Sequence, residues 1–316
     1  MDLTMTRLNA LAAFLLLSSP HLNAADPPRP RILGIAHIAF YVSDLAKARE
    51  FWTDLLGYQE CFNLKQNDSD AVRIAFIKIN DFQYIELFTE KPRGDMMLNH
   101  ISFYTENAEA MRGYLAEKGV KVPDKVGKGM TGNKNYNIVD PDGNIVEIVE
   151  YQPDSWTALE KGNFLPSTRI SDHIPHVGVL VGSVEAATNF YRGILGFEEI
   201  WRGGGGDDKP LSWINMCVPE GKDYLEWMLH GVKPEPERYG TRNHLALEVP
   251  SCEKAAAILK ARPASKDFKM DEVKVGVNRK RQVNLYDADG SRVELMEPST
   301  IDGKPTPPST AKPPIR

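Results

Sequence analysis

One pattern occurs four times in this chain, and it constrains the fold more than composition does. A short apolar strand with a central histidine is followed by an amphipathic helix, then by alternating strand-like stretches. The last of these carries a glutamate between apolar neighbours. The four copies read IAHIAFYV (His37), DLAKAREFWTDLLG and YIELF (Glu86); NHISFY (His100), NAEAMRGYLAEKG and IVEIVE (Glu147); PHVGVLV (His176), SVEAATNFYRGILGF and YLEWML (Glu226); and NHLALEV (His244), CEKAAAILKAR and RVELME (Glu294). The His-to-Glu separations are 49, 47, 50 and 50 residues. Internal repetition of this kind means one supersecondary unit used several times. The unit is a βαβββ module, and the predicted fold class is α+β: four modules paired into two domains, with the helices outside curved sheets.

Local chemistry supports the element boundaries. Asp44, Asn107, Ser183 and Ser251 stand where each helix should begin, and all four residue types cap helix N-termini well. Gly57, Gly119 and Gly196 stand where three of the helices should end, and Pro263 stops the fourth. Asp142-Gly143 and Asp289-Gly290 predict tight hairpins before two of the glutamate strands. These signals predict domains at 31–151 (modules 31–90 and 96–151) and 171–298 (modules 171–231 and 240–298), joined by an irregular linker over 152–170. Gly203 to Gly206 reads as a mobile hairpin tip. Residues 299–316, rich in Pro, Ser, Thr and Lys, predict a disordered tail.

Strand parity assigns the faces. Ile38, Phe40 and Val42 share one row and His37 and Tyr41 the other; Glu86 turns away from Ile85 and Leu87. The apolar row can pack beneath the module's helix, which leaves the histidine and glutamate facing what the sheet encloses. A single such residue is more often a hydrogen-bonded histidine or a half-solvated glutamate than a ligand. Eight in phase are different, because an inward carboxylate with no cation or donor costs several kcal/mol. The pattern therefore predicts two metal sites, each of two imidazoles and two carboxylates. Such a set suits Zn, Ni, Co, Mn or Fe. Pairing module one with two and three with four gives the sets His37, Glu86, His100, Glu147 and His176, Glu226, His244, Glu294. Pairing one with four and two with three leaves two full sets as well. His173 and His230 lie out of the repeating register. Asn137 and Asn284, each ten residues before its glutamate, point by parity into what the sheet encloses, where an amide can orient substrate. Tyr41 shares the row of His37 and joins them as a predicted substrate contact.

Net charge is −5 with no basic block, which excludes a nucleic-acid partner. Arg7, the apolar run Leu8 to Leu17 and the small residues near Ala24 and Ala25 read as a secretory signal peptide over 1–25. The run is too short to span a bilayer, so the expected location is periplasmic or extracellular, with no membrane association after cleavage. Cys61, Cys217 and Cys252 are odd in number, far apart and lack metal-type spacing. The expected state is a monomer or homodimer acting on a small molecule.

The pattern resembles the vicinal oxygen chelate superfamily, which includes glyoxalases, fosfomycin-resistance proteins and extradiol dioxygenases. The resemblance covers essentially the whole mature chain. It is carried most clearly by DPDGNIVEI at 140–148 and DADGSRVEL at 287–295. It implies that the paired modules form two cup-shaped, incompletely closed β-barrel domains with helices outside, each around one divalent metal. It also implies glyoxalase I-like isomerase or lyase chemistry, in which one of Glu86, Glu147, Glu226 or Glu294 acts as base while the metal stabilises an enediolate. The glutathione determinants of that family are missing: Tyr41 and Leu180 replace an arginine, and Glu90 and His230 an asparagine. The expected substrate is thus a small oxygen-rich molecule other than a glutathione adduct. Two alternatives stay open. Extradiol ring cleavage by Fe(II) would use His176, His244 and Glu294, but Asn284 stands where those enzymes have a tyrosine and no histidine follows His244. The other is ligand sequestration without catalysis.

Overall fold

The computed structural model describes residues 28–92, 97–206, 209–233, 235 and 242–315. The predicted signal segment 1–25 lies outside them. Two sheets carry the fold. The first has the strand order β2 (Gln59–Lys65), β3 (Val72–Lys78), β4 (Tyr84–Phe88), β1 (Ile32–Tyr41), β5 (Leu98–Thr105), β8 (Ile145–Glu150), β7 (Lys134–Val139), β6 (Gly127–Lys128). The second has the order β10 (Glu198–Gly204), β11 (Leu211–Cys217), β12 (Tyr224–Leu229), β9 (His176–Val181), β13 (His244–Glu248), β17 (Arg292–Thr300), β16 (Lys280–Tyr286), β14 (Lys269–Met270), with β15 (Lys274–Val275) paired to β16. Module one thus shares its sheet with module two and module three with module four, which selects the sequential pairing. The central strands of the first sheet are β4, β1, β5 and β8, and those of the second are β12, β9, β13 and β17.

The helix signals work as expected. Asp44, Asn107, Ser183 and Ser251 each accept backbone N–H groups at the start of α1 (Leu45–Arg49), α2 (Ala108–Glu117), α4 (Val184–Ala187) and α5 (Cys252–Lys260); a short helix, α3, spans Trp156–Leu159. Gly57, Gly119 and Gly196 take φ of 78°, 78° and 79°, the left-handed conformation of a helix stop. One feature differs from a plain amphipathic helix. α1 and α4 widen into π-helical segments, Glu50–Leu55 and Thr188–Ile194. Each segment buries two adjacent rings, Phe51 with Trp52 and Phe190 with Tyr191.

The helices pack on the convex faces of the sheets, and one apolar cluster runs through both halves. Phe51 meets Phe268 at 5.2 Å and Phe103 meets Phe197 at 5.2 Å. Module one therefore adjoins module four through its helix side, without sharing a site with it. The linker is less irregular than its prolines and glycines suggest. α3 sets Trp156 against Phe62, Phe76 and Tyr84, because a large ring gains more from burial than the backbone loses by ordering. Gly203 and Gly204 still belong to β10 (Glu198–Gly204), and Gly205 and Gly206 leave the strand where it turns toward its antiparallel partner; the Trp201 ring lies where a Cβ on Gly203 would be. The C-terminal segment also departs from its composition. Leu211 N donates to Lys312 O, Ser309 N to Arg202 O and Thr306 Oγ1 to Asn278 O, so residues up to 315 lie along the second domain. Prolines need no N–H partner and suit an extended strap of this kind. None of the three cysteines is paired; Cys252 is buried and the other two are half-buried.

A polar seam joins the halves. Gln83 Oε1 accepts from Ile174 N at 2.8 Å, and Asp223 Oδ2 accepts from Ile35 N at 2.8 Å. Gln83 Nε2 also reaches Asp223 Oδ2 at 3.2 Å. Asp223 further accepts His173 Nε2 at 2.8 Å, which gives that out-of-register histidine a structural partner and raises its pKa. Removing a buried hydrogen-bonded carboxylate strands its donors. Asp223→Ala should therefore cost about 2–4 kcal/mol in urea unfolding. A loss below about 0.5 kcal/mol would show that the seam does not hold the halves together.

Candidate metal centres

Each cup draws one ligand candidate from each of four adjacent strands. In a flat sheet four strands would spread over about 14 Å at the usual spacing. Here the side chains converge, because the sheet curls and β1 carries a bulge between Ile35 and His37 that re-aims the histidine. His37 Nε2 stands 2.9 Å from His100 Nε2 and 3.7 Å from both Glu86 Oε1 and Glu147 Oε1. His100 Nε2 is 3.5 Å from Glu86 Oε2 and 3.6 Å from Glu147 Oε2. In the second cup His176 Nε2 and His244 Nε2 are 3.1 Å apart; His244 Nε2 lies 3.4 Å from Glu226 Oε2 and 3.9 Å from Glu294 Oε2. Donors bound at about 2.0–2.2 Å to one ion stand roughly 3.0 Å apart at right angles and about 3.4 Å apart in a tetrahedron. These spacings fit donors around a shared divalent cation. His37, His100 and Glu147, and likewise His176, Glu226 and His244, offer donor atoms that all lie within 4.8 Å of one another.

What leaves room for such convergence is a small residue two positions after each histidine. Ala39 sits between Glu86 and His100 in the ladder, and Ser102 between His37 and Glu147. Gly178 sits between Glu226 and His244, and Ala246 between His176 and Glu294. The Gly178 position is the tightest. A Cβ built there would lie 1.9 Å from Cε1 of the His244 ring. Each cup also has a tyrosine stacked on its first histidine, Tyr84 on His37 and Tyr224 on His176, both at 4.7 Å between ring centres. Both the small residue at His+2 and the Tyr-x-Glu pair of modules one and three are visible in the sequence.

Burial sets the electrostatics. It pushes Glu147 up to about 7 against hydrogen bonds from Asn135 and Ser102, and pushes Glu226 up to about 8, helped by Glu294. Burial, then the nearby Glu147, holds Glu86 well above the carboxylate range; Glu294 is raised by burial against the pull of Arg292. Burial lowers His37, His176 and His244, so their imidazoles are neutral and their ring nitrogens can bind a cation.

The predicted substrate contacts divide. Asn137 lies opposite Glu147 in the ladder and lines the first cup with Asn135 and Asn99. Asn284 lies opposite Glu294 but is buried, with Nδ2 3.4 Å from Asp271, and Gln282 lines the cavity in its place. Tyr41 is buried edge-on to Phe88 and does not line the cavity. His230 follows β12 beside Asp142 and Asn144, outside both ligand groups.

The family model described as Glyoxalase/Bleomycin resistance protein/Dioxygenase superfamily matches residues 34–148 and 173–295. The chain is similar to a 2-epi-5-epi-valiolone epimerase of Actinomyces sp, with 26% identity over 147 residues, 38% of this chain and 80% of that protein. Among solved structures it resembles the 2,3-dioxygenase LapB from Pseudomonas sp. KL28, with TM-score 0.66 and 14% identity, over 88% of this chain and 97% of that one. It also resembles the Mn(II)-bound glyoxalase from Novosphingobium aromaticivorans, with TM-score 0.62 and 16% identity, over 85% and 83%. At these identities the structural likeness is one of fold.

Two predictions follow from the geometry. Gly178→Ala must displace the His244 ring, so it should weaken metal binding in the second cup at least tenfold and spare the first; His100→Ala should do the reverse. Calorimetric metal titration of the two variants reads this, and loss of both sites in either variant would contradict it. The second concerns pH. With metal stripped, raised carboxyl pKa values stabilise the fold at low pH, and that stability is lost as pH rises through them. The lowered histidines oppose this only below their ordinary value of 6.5. Between about pH 6.5 and 8 the melting temperature of the stripped protein should therefore fall with rising pH. Metal affinity should rise over the same interval as the carboxyls deprotonate. A flat melting profile there would refute the assignment.

Proposed function

Since the chain belongs to the Glyoxalase/Bleomycin resistance protein/Dioxygenase superfamily, we propose that it is a divalent-metal-dependent enzyme that moves a proton between adjacent carbons of a small oxygen-rich molecule. The observation that carries this reading is the set of two imidazoles and two carboxylates gathered in each cup. His37, Glu86, His100 and Glu147 would hold the ion in one cup, and His176, Glu226, His244 and Glu294 in the other. The ion, when bound, supplies Lewis-acid polarisation of a carbonyl or hydroxyl oxygen. The chain supplies the rest. A glutamate beside the reacting carbon can take a proton on a carboxylate oxygen and return it, the role we assign to Glu147 in the first cup and Glu226 in the second. Asn137 and Asn99 offer amides that hold a hydroxyl or carbonyl without adding charge. Phe76, Phe88 and Ile74 give the first cup an apolar wall that limits water. Similarity to an epimerase supports proton transfer as the reaction class.

Extradiol ring cleavage is the second reading, favoured by the fold shared with 2,3-dioxygenases. Against it stand Glu226 as an additional carboxylate beside His244 and the lack of any histidine after His244. The leader-like pattern at 1–25 supports export to the periplasm or beyond, which cell fractionation tests.

The reaction class is tested with metal-loaded protein in deuterated water, offering small hydroxyketones and cyclic polyol ketones and reading exchange at carbon by NMR. Exchange should occur, stop on chelation and fall by about 10²–10⁴-fold in a Glu147→Gln/Glu226→Gln double variant. Rapid oxygen uptake with catechols under Fe(II), and no exchange, would replace this reading with ring cleavage.

A further inference from the structure

The two cups share a ligand set but differ in charge. In the ladder, position 12 before the second glutamate is Asn135 in the first cup and Gln282 in the second; its strand partner is Gly127 in the first and Lys274 in the second. Position 2 before that glutamate is Ile145 in the first cup and Arg292 in the second. Both Lys274 and Arg292 line a cavity of about 250 Å³ in front of Glu226 and Glu294. The first cavity, of about 230 Å³, has Arg73 and Glu90 besides its ligand glutamates. Two carboxylates balance one divalent ion. What remains is then no net charge in the first cup and two positive charges in the second.

Arg292 is held for use. One of its amino groups lies 2.6 Å from His244 Nδ1, and its Nε is buried without a hydrogen-bond partner. With Nε2 turned to the ion, Nδ1 carries the imidazole proton and donates it to Arg242 O 2.9 Å away, so it does not accept from the guanidinium. Neither a backbone carbonyl nor an imidazole neutralises the guanidinium. Trp201 and Trp213 add flat apolar wall to the same cavity. A guanidinium that lines the cavity with no carboxylate ion-paired to it among the described residues, a lysine beside it and indole walls suit a carboxylate on a planar body.

We propose that the second cup receives a substrate bearing a carboxylate, with Arg292 and Lys274 as its counter-charges, whereas the first cup receives an uncharged one. This rests on the metal-enzyme reading for its chemistry but on separate residues for its specificity. Electrostatic attraction in a partly enclosed cleft of low dielectric makes the two cations effective there.

The test uses zinc-loaded protein titrated with benzoate and with benzamide, its uncharged counterpart, read by indole fluorescence and calorimetry. Benzoate should bind at least tenfold more tightly than benzamide. Arg292→Gln should remove about tenfold of benzoate affinity and leave benzamide unchanged. Lys274→Ala, at an exposed position that cannot disturb the core, should act in the same direction. His100→Ala, which disables the first cup, should leave benzoate binding intact. Equal affinity for the two probes, or benzoate binding indifferent to both cation variants, would overturn the proposal. Zinc content is measured on the same samples. Absence of zinc would sink the catalytic reading alone, and the benzoate comparison would still decide the carboxylate site.

Discussion

Two carboxylates and two imidazoles gathered in each buried cup are the constraint to which the rest of each domain answers. Without a cation the arrangement is unfavourable: burial drives the glutamates up and the histidines down, each group abandoning its charge. The fold nevertheless assembles the cluster, because the cost is met on the other face of the same strands. Ile38, Phe40, Ile85, Leu87, Ile101, Phe103, Val146 and Ile148 are all fully or almost fully buried there. At roughly 1.5–3 kcal/mol per large side chain, such a row outweighs several strained polar groups. Period-2 alternation makes this possible, since one strand can serve an apolar core and a polar cup together.

Much of this was legible in the residues. Each cap and stop acts within a few positions of itself, so Asp44, Asn107, Ser183, Ser251 and the three helix-ending glycines could be read locally. Parity likewise told which face His37 and Glu147 take. Parity does not tell which strand lies alongside; the long linker makes sequential pairing the simpler one, and the ladders of β1 with β5 and β9 with β13 decide it. Features set by distant packing were also hidden. Trp156 looks like a linker residue until Phe62 and Phe76 lie beneath it, and the proline-rich C-terminal segment looks disordered until β10 and β11 offer it partners. Asn284 has the parity of Asn137, but the neighbouring strand β14 and Asp271 cover it, and parity carries no information about cover.

Comparing copies within the chain recovers what comparing elements along it did not. Each of the four candidate ligand histidines is followed at the second position by alanine, serine or glycine: Ala39, Ser102, Gly178 and Ala246. In an ordinary half-buried strand β-branched residues would be preferred there. Small residues give up that packing, and the ladder shows the reason: each lies flanked by two converging ligands. Divergence between copies is equally informative. Ile145 and Arg292 occupy one structural position, and exchanging an apolar group for a cation beside a ligand histidine changes the charge of the cup while leaving its donor set unaltered.

The seam shows how two such cups are held in one frame. Gln83 and Asp223 are equivalent positions, each one residue before the tyrosine that stacks on a histidine and three before a ligand glutamate. Ile35 and Ile174 are equivalent as well, each two residues before a ligand histidine. Gln83 binds the backbone of Ile174, Asp223 binds that of Ile35, and the two side chains bind each other. The histidine strand of one cup is thus pinned by the glutamate strand of the other. Coupling of function through such a link requires an element with two stable arrangements. Here the two backbone N–H groups each meet a side-chain oxygen, and a shift of β1 or β9 would leave a buried donor unpaired. What the seam conveys is therefore rigidity. It fixes the height of each histidine strand against a fully hydrogen-bonded partner, so the donor atoms of both cups keep their spacing before any ion arrives.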